Sequence, residues 1–266
     1  ADVTGVQTCA LPISFSVTSV YTLISFLEQR FGVWSAMGGT GSIVKGMASL
    51  IEGQGGRIEC NAEVEEILVE QGAVRGVRLK GGRELHSDLV VSNADAAWTY
   101  RHLIPARHRK RWSNAKIERS HYSNGLFVWY FGTRGQYPDV PHHSVILGPR
   151  YQGLLDDIFK RKVLAEDFSL YLHRPTETDP SMAPEGCDTF YALVPVPHLD
   201  AGVDWESYGE TFRQRICARL EETMLPGLGN RIVTSRLLTP RTFRTDCAPL
   251  KALASVSSPV SPRAPG

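Results

Sequence analysis

The chain has 266 residues, of which 42% are hydrophobic and 21% charged, and its formal net charge is +1. That length suffices for one large domain or two ordinary ones, and the balance argues against disorder and against a nucleic-acid partner. Five scattered cysteines (Cys9, Cys60, Cys187, Cys217, Cys247) show no Cys-x-x-Cys pair or metal-like spacing. They read as reduced residues of a cytosolic-type protein. No stretch approaches the ~20 apolar residues of a spanning helix, so any membrane contact is expected to be peripheral.

Residues 3–13, VTGVQTCALPI, carry neither a helical nor a strand period. They are similar to the translation of a sequencing-library adapter, so residues 1–14 are expected to be an assembly artefact. Over 18–30, Val20, Leu23, Ile24 and Leu27 predict an amphipathic helix. The glycine-rich MGGTGSIVKGM, 37–47, leads into a second helix with Ile43, Met47, Leu50 and Ile51 on one stripe. Ser42 is its expected N-cap, and Gly53 or Gly55 its stop.

Strands are expected within 57–70, 73–82 and 83–95, with a hairpin at Gly81–Gly82 and a buried strand at DLVV, 88–91. A helix is predicted behind Asp95, over 96–104, and another from Ala106 to Ala115. Longer strands follow in GLFVWYFG, HHSVILG, DFSLYLH and DTFYALVPV, interrupted by a helix near 151–160. The clearest long helix is 204–225, with Phe212, Ile216 and Leu220 in register, and RIVTSRLLTP reads as a closing strand. From Cys247 the Ser/Pro/Ala-rich end reads as a frameshifted or disordered tail.

The glycine loop satisfies neither nucleotide fingerprint. A dinucleotide motif begun at Gly39 needs glycine where Val44 stands, and a P-loop begun at Gly41 fails at Met47. A tight turn before a closely packed helix is the favoured role, with anion binding at the helix start as the alternative. The basic run RHRKRW, 107–112, reads as a solvated helix face or a contact for anionic lipid. His142 and His143 are adjacent on a strand, which should send them to opposite faces, and no metal site is expected. No G-x-S-x-G elbow is present. Asp156, Asp157, Glu166 and Asp167 read as helix caps rather than acid–base groups.

Larger segments carry a resemblance. The stretches 19–67, VVSNADAAWTYRHLI, SNGLFVWYFG, HHSVILGPRY, EDFSLYLHRPTETDPSMAPEGCDTFYALVPVPHL and TPRTFR together resemble the middle of a bacterial-type phytoene desaturase, from about Phe15 to Asp246. The resemblance implies an α/β (α+β) fold: the middle portion of a two-domain FAD-dependent oxidoreductase of the amine-oxidase-like superfamily. Residues 35–97 would belong to a Rossmann-like FAD domain. Residues 15–34 and 98–246 would belong to a mixed-sheet substrate domain.

By the same resemblance, Gly38, Gly39, Gly55, Gly56 and Val64 match a superfamily pattern. Val64 would meet the adenine of FAD through its backbone, and Ser92, Asn93 and Ala94 would pass near the cofactor. The phosphate-holding glycines of the family lie upstream of the matched stretch. Phe127, Trp129, Phe131 and Tyr171 are the candidates to line a tunnel for phytoene, although strand core suits them equally. No catalytic residue is assigned. The implied setting is cytoplasmic and at a membrane surface, with hydride transfer to flavin and quinone or oxygen as electron acceptor. Alternatives are a related carotenoid desaturase or isomerase, or a catalytically dead lipid-surface module.

Overall fold

A computed structural model describes residues 22–120 and 122–247. The adapter-like segment 1–14, Val20 and the tail from residue 248 lie outside the described residues.

Two helices open the described chain. Helix α1 spans Thr22–Phe31, and α2 spans Thr40–Gly53 behind the glycine loop. The cap of α2 is Gly39, at φ 74°, a backbone region that favours glycine. Ser42 therefore is not the N-cap. It lies in the first turn and its hydroxyl donates back to the carbonyls of Met37 and Gly39. The expected stop holds, with Gly55 at φ 82° just past the helix. The apolar stripe of α2 is exposed: Met47 and Leu50 keep about 60% of their accessible surface.

A small antiparallel meander follows, with β1 (Val64–Glu70), β2 (Ala73–Leu79) and β3 (Glu84–His86) in that order. Gln71 and Gly72, both at positive φ, make the two-residue turn between β1 and β2. Gly76 is required where β3 crosses, because a Cβ there would lie 2.0 Å from the Leu85 carbonyl oxygen. DLVV forms no strand, contrary to its pattern, and Leu89 and Val91 are largely exposed. Its apolar side chains meet no facing layer among the described residues, so burial cannot hold it extended in a sheet.

Asp95 caps the next helix through the Trp98 amide, as its position predicts. This helix, α3 (Ala96–Trp98), widens into a π-helical turn, Thr99–Leu103, that packs on β1. The expected helix from Ala106 to Ala115 is broken. Only Ala106–His108 forms a 3-10 turn, and a new helix α4 begins at Asn114 and ends at Glu118. Ser113 restarts it by accepting from the Lys116 amide, while Arg109 turns away to the Trp112 carbonyl and Asn114.

The larger unit is a five-stranded sheet in the order β5-β6-β7-β4-β8. Its strands are β4 (Gly125–Arg134), β5 (His143–Ile146), β6 (Leu170–His173), β7 (Cys187–Val196) and β8 (Ile232–Leu238). Every pairing among the described residues of this sheet is antiparallel. Helix α5 (Tyr151–Asp156, continuing to Arg161 as a π-turn) links β5 to β6. Asp157 and Asp167 do not cap it through their own starts but pair with Arg150, and Asp156 pairs with Lys160.

Helix α6 (Trp205–Thr223) covers one face of this sheet. Asp204 caps it, accepting from the Glu206 and Ser207 amides. Phe212, Ile216 and Leu220 recur at four-residue spacing and are fully buried against Phe127, Trp129, Leu170, Leu172 and Phe190. Phe212 meets Phe127 edge-on at 4.9 Å. Each such side chain contributes roughly 1.5–3 kcal/mol of burial, which makes this the stabilising core of the molecule. Helices α7 (Leu228–Arg231) and α8 (Pro240–Cys247) flank β8.

Candidate functional site

The opposite face of the five-stranded sheet carries a different chemistry. Strand register places His143, His173, Tyr191, Tyr130 and Arg236 in one row across all five strands, each paired directly with the next. The row follows from alternation: on β4 the odd positions Phe127, Trp129 and Phe131 face α6, so Tyr130 faces away. Phe127, Trp129 and Phe131 thus belong to the core instead of lining a cavity. Tyr171, one position from Leu172 on β6, points to the cavity side.

A cavity of about 580 Å³ lies over this row. Its floor is Tyr130, Tyr171, Tyr191 and the histidines, and its opposite wall is Trp34, the glycine loop and Ile43 at the start of α2. Between them stands the segment from Pro175 to Met182. That segment is fixed by a buried ion pair: Arg174 Nε donates to Asp188 Oδ2 at 3.1 Å. Asp188 also accepts from the Tyr137 amide at 2.8 Å and the Thr176 hydroxyl at 2.6 Å. Arg174 Nη1 reaches the Val140 carbonyl and Glu177, so both charges are saturated with partners.

Held this way, the segment presents Asp179 to the glycine loop. The Gly38 amide donates to Asp179 Oδ2 at 2.6 Å. The Ser181 hydroxyl and then the Gly38 amide hold this carboxyl below the usual carboxylate range. A carboxylate of the chain therefore occupies the place where the start of α2 attracts an anion. The loop is closed further by Met182, whose methyl would lie 2.9 Å from a Cβ at Gly39.

The histidines do not face opposite ways. His142 lies one residue before β5, where strand alternation no longer governs it, and its ring centroid is 4.3 Å from that of His143. His142 Nε2 lies 2.7 Å from His173 Nε2, and His143 Nδ1 lies 2.5 Å from the Tyr171 hydroxyl. Burial pushes all three imidazoles down from their ordinary value, and for His173, with its two neighbouring rings adding to the effect, down to about 3. At neutral pH the cavity floor is thus an uncharged array of imidazole and phenol groups.

The cofactor candidates lie away from this cavity. Val64 starts β1 and is half-buried, while Ser92, Asn93 and Ala94 are exposed. The Ser92 hydroxyl pairs with that of Thr99, in the turn that packs on β1, which brings the two stretches side by side. In the glycine loop the Gly38 amide is engaged by Asp179 and so is not offered to a phosphate.

Sequence reasoning missed Arg174, Asp179, Asp188, His173, Tyr130 and Tyr191. The period-2 pattern of β4, β6 and β7 is the signal that could have separated Tyr130, His173 and Tyr191 from the core.

No family model matches the chain. It is 53% identical over 235 residues to a neurosporene-forming phytoene desaturase from Cereibacter sphaeroides, covering 86% of this chain and 45% of that protein. It is 48% identical to a lycopene-forming phytoene desaturase from Pseudescherichia vulneris, over 86% of this chain and 47% of that one. The chain thus spans about half the length of the curated relatives it matches. A solved oxidoreductase from Methanosarcina mazei superimposes with a TM-score of 0.55 at 21% identity, covering 76% of this chain and 43% of that one. That likeness speaks for the fold alone.

Proposed function

We propose, from the premise that this stretch belongs to the bacterial phytoene desaturase family, that it forms part of an FAD-dependent enzyme introducing double bonds into phytoene toward neurosporene or lycopene. The observation that carries this reading is the 53% identity across 86% of the chain. In such an enzyme the five-stranded sheet serves the substrate domain, and α2 with the meander serves the middle of the cofactor domain.

Desaturation removes hydrogen from adjacent carbons of an unactivated hydrocarbon, and no side chain accepts a hydride. FAD, when bound, supplies that acceptor. What these residues contribute is position and environment. Tyr130, Tyr171 and Tyr191 offer ring faces to an apolar chain, and burial keeps the metal-free histidines uncharged. Val64 and Ser92–Ala94 would touch the cofactor through their backbone. The substrate is lipid-soluble, so a membrane surface on the cytoplasmic side is its natural source. Arg107, Lys110 and Arg111 are exposed and suit anionic headgroups. No helix among the described residues is long and apolar enough to cross a membrane.

The test is a chimera in which residues 15–246 replace the matching stretch of the Cereibacter sphaeroides enzyme, expressed in a phytoene-accumulating host. Coloured neurosporene or lycopene is expected. A folded, flavin-loaded chimera that leaves phytoene unchanged overturns the proposal.

A further inference from the structure

The three histidines at the edge of the cavity have a geometry that lining a hydrocarbon site does not require. We infer that His142, His143 and His173 form a binding site for one divalent transition-metal ion, with an open coordination position toward the cavity. The inference stands independently of the desaturase reading.

One ligand nitrogen from each ring lies within 4.8 Å of the other two. The second nitrogen of two of the rings is engaged: His142 Nδ1 meets the Thr178 hydroxyl, and His143 Nδ1 meets the Tyr171 hydroxyl. With those hydroxyls accepting, each Nδ1 carries the proton and each Nε2 is the lone-pair nitrogen; that of His142 faces His173 Nε2 and so accepts its proton. This is how metal-ligating imidazoles are usually oriented from behind. His173 differs, and the difference is informative. Its Nδ1 is buried without a hydrogen-bond partner, so this ring can shift without breaking a bond at that atom.

His142 Nε2 and His173 Nε2 at 2.7 Å share a single proton between two nitrogens. A tetrahedral ion with metal–nitrogen bonds of about 2.0–2.1 Å separates its ligands by roughly 3.3 Å. For a cation to sit between them, the proton on His173 Nε2 moves to its Nδ1, which keeps the ring neutral; these two nitrogens then part by about 0.6 Å, and a pair standing as much as 4.8 Å apart closes by about 1.5 Å. The donors are three uncharged imidazoles, which select zinc, copper, nickel or cobalt over calcium or magnesium. Glu177, whose charge acts on His142 and which accepts a hydrogen bond from Arg174, is a compensating carboxylate on the segment that covers the site. The fourth position faces the space bounded by Tyr191 and Tyr171, where water or a small anion would complete the tetrahedron.

Titrating Co²⁺ into this chain tests the assignment, because tetrahedral cobalt shows visible d–d absorption. One saturable equivalent in the micromolar range, displaced by Zn²⁺, is expected. The His173→Gln variant should lose at least a hundredfold in affinity. The Tyr171→Phe variant keeps all three ligands and should lose about ten- to hundredfold through the lost support of His143. If the His173 variant fails to fold, the wild-type titration and the Tyr171→Phe comparison still decide. Absence of saturable binding overturns the inference, as does unchanged affinity in both variants. A sulfur-to-cobalt charge-transfer band overturns it too, since that would place the ion on one of the five cysteines.

Discussion

Gly38 and Asp179, 141 residues apart, are joined by a 2.6 Å hydrogen bond from the backbone amide to the carboxylate. That bond docks the start of α2 on the segment beside the cavity. Replacing Asp179 by alanine should free the Gly38 amide, and hydrogen exchange at Gly38 should quicken while exchange in β4 and β7 does not change. Asn should fall between, since its amide oxygen accepts without charge. The pH sign follows from the lowered pKa. The undocked carboxyl takes up a proton at a higher pH than the docked one. Docking is therefore complete above the ordinary carboxylate value and is lost as pH falls through the depressed one.

The pair Arg174–Asp188 is expected to matter to the whole fold. Both groups are buried, and Asp188 accepts three hydrogen bonds. Asp188→Ala leaves the buried guanidinium with only the half-exposed Glu177 as counter-charge and leaves the Tyr137 amide without its acceptor, at a cost of about 3 kcal/mol. Chemical denaturation should register that loss, with Tm lower by on the order of 10 °C. The exposed pair Lys80–Glu63 provides the contrast: Glu63→Ala should cost about 0–1 kcal/mol.

Neighbouring residues of β4 should behave oppositely. Phe127 is fully buried against Trp205 and Phe212, so Phe127→Ala should cost about 3–5 kcal/mol. Tyr130 is 43% exposed over the cavity, and Tyr130→Ala should change stability by about 1 kcal/mol or less. In the chimeric desaturase, Tyr130→Ala should instead lower turnover or alter the distribution of carotenes. Equal destabilisation by the two variants would contradict the assignment of faces.

The long helix α6 was legible because its spacing of Phe212, Ile216 and Leu220 meets a single apolar partner. The strands were legible as strands, but not which side of them lines the cavity. In GLFVWYF both faces are apolar or aromatic, so alternation separates two faces without saying which one is core. His142 was misjudged because it stands just outside β5, where the period-2 argument lapses. Contacts such as Gly38–Asp179 leave no local trace, since each residue alone reads as an ordinary turn component. The stripe on α2 misled in another way: its period reports that a face is apolar, and only the layers present decide whether it is buried.

That stripe gives a prediction of its own. Ile43, Val44, Met47, Leu50 and Ile51 are all exposed on α2, and no residue of the helix is buried. A patch of this kind drives association. The chain should self-associate and bind an apolar dye, and Met47→Lys with Leu50→Lys should reduce both. Because neither side chain is buried in the fold, stability should change by no more than about 0.5 kcal/mol per site. A large loss of stability would mean that the stripe is packed.

Flavin binding by this chain alone should be weak. The start of α2 would ordinarily welcome a phosphate, but Asp179 already places a carboxylate there, and its charge opposes a second anion. The edge contacts proposed for Val64 and Ser92–Ala94 would not replace a phosphate cradle. A ligand stabilises the folded state in proportion to its occupancy of a site that state possesses. Added FAD should therefore leave Tm unchanged, and the purified chain should be colourless. Were Asp179 the only obstacle, Asp179→Ala would restore binding. The expectation is that it does not, since removing the carboxylate opens the helix start without supplying the loop amides a pyrophosphate needs. Stoichiometric yellow protein, from either form, would show that the described residues hold the cofactor by themselves.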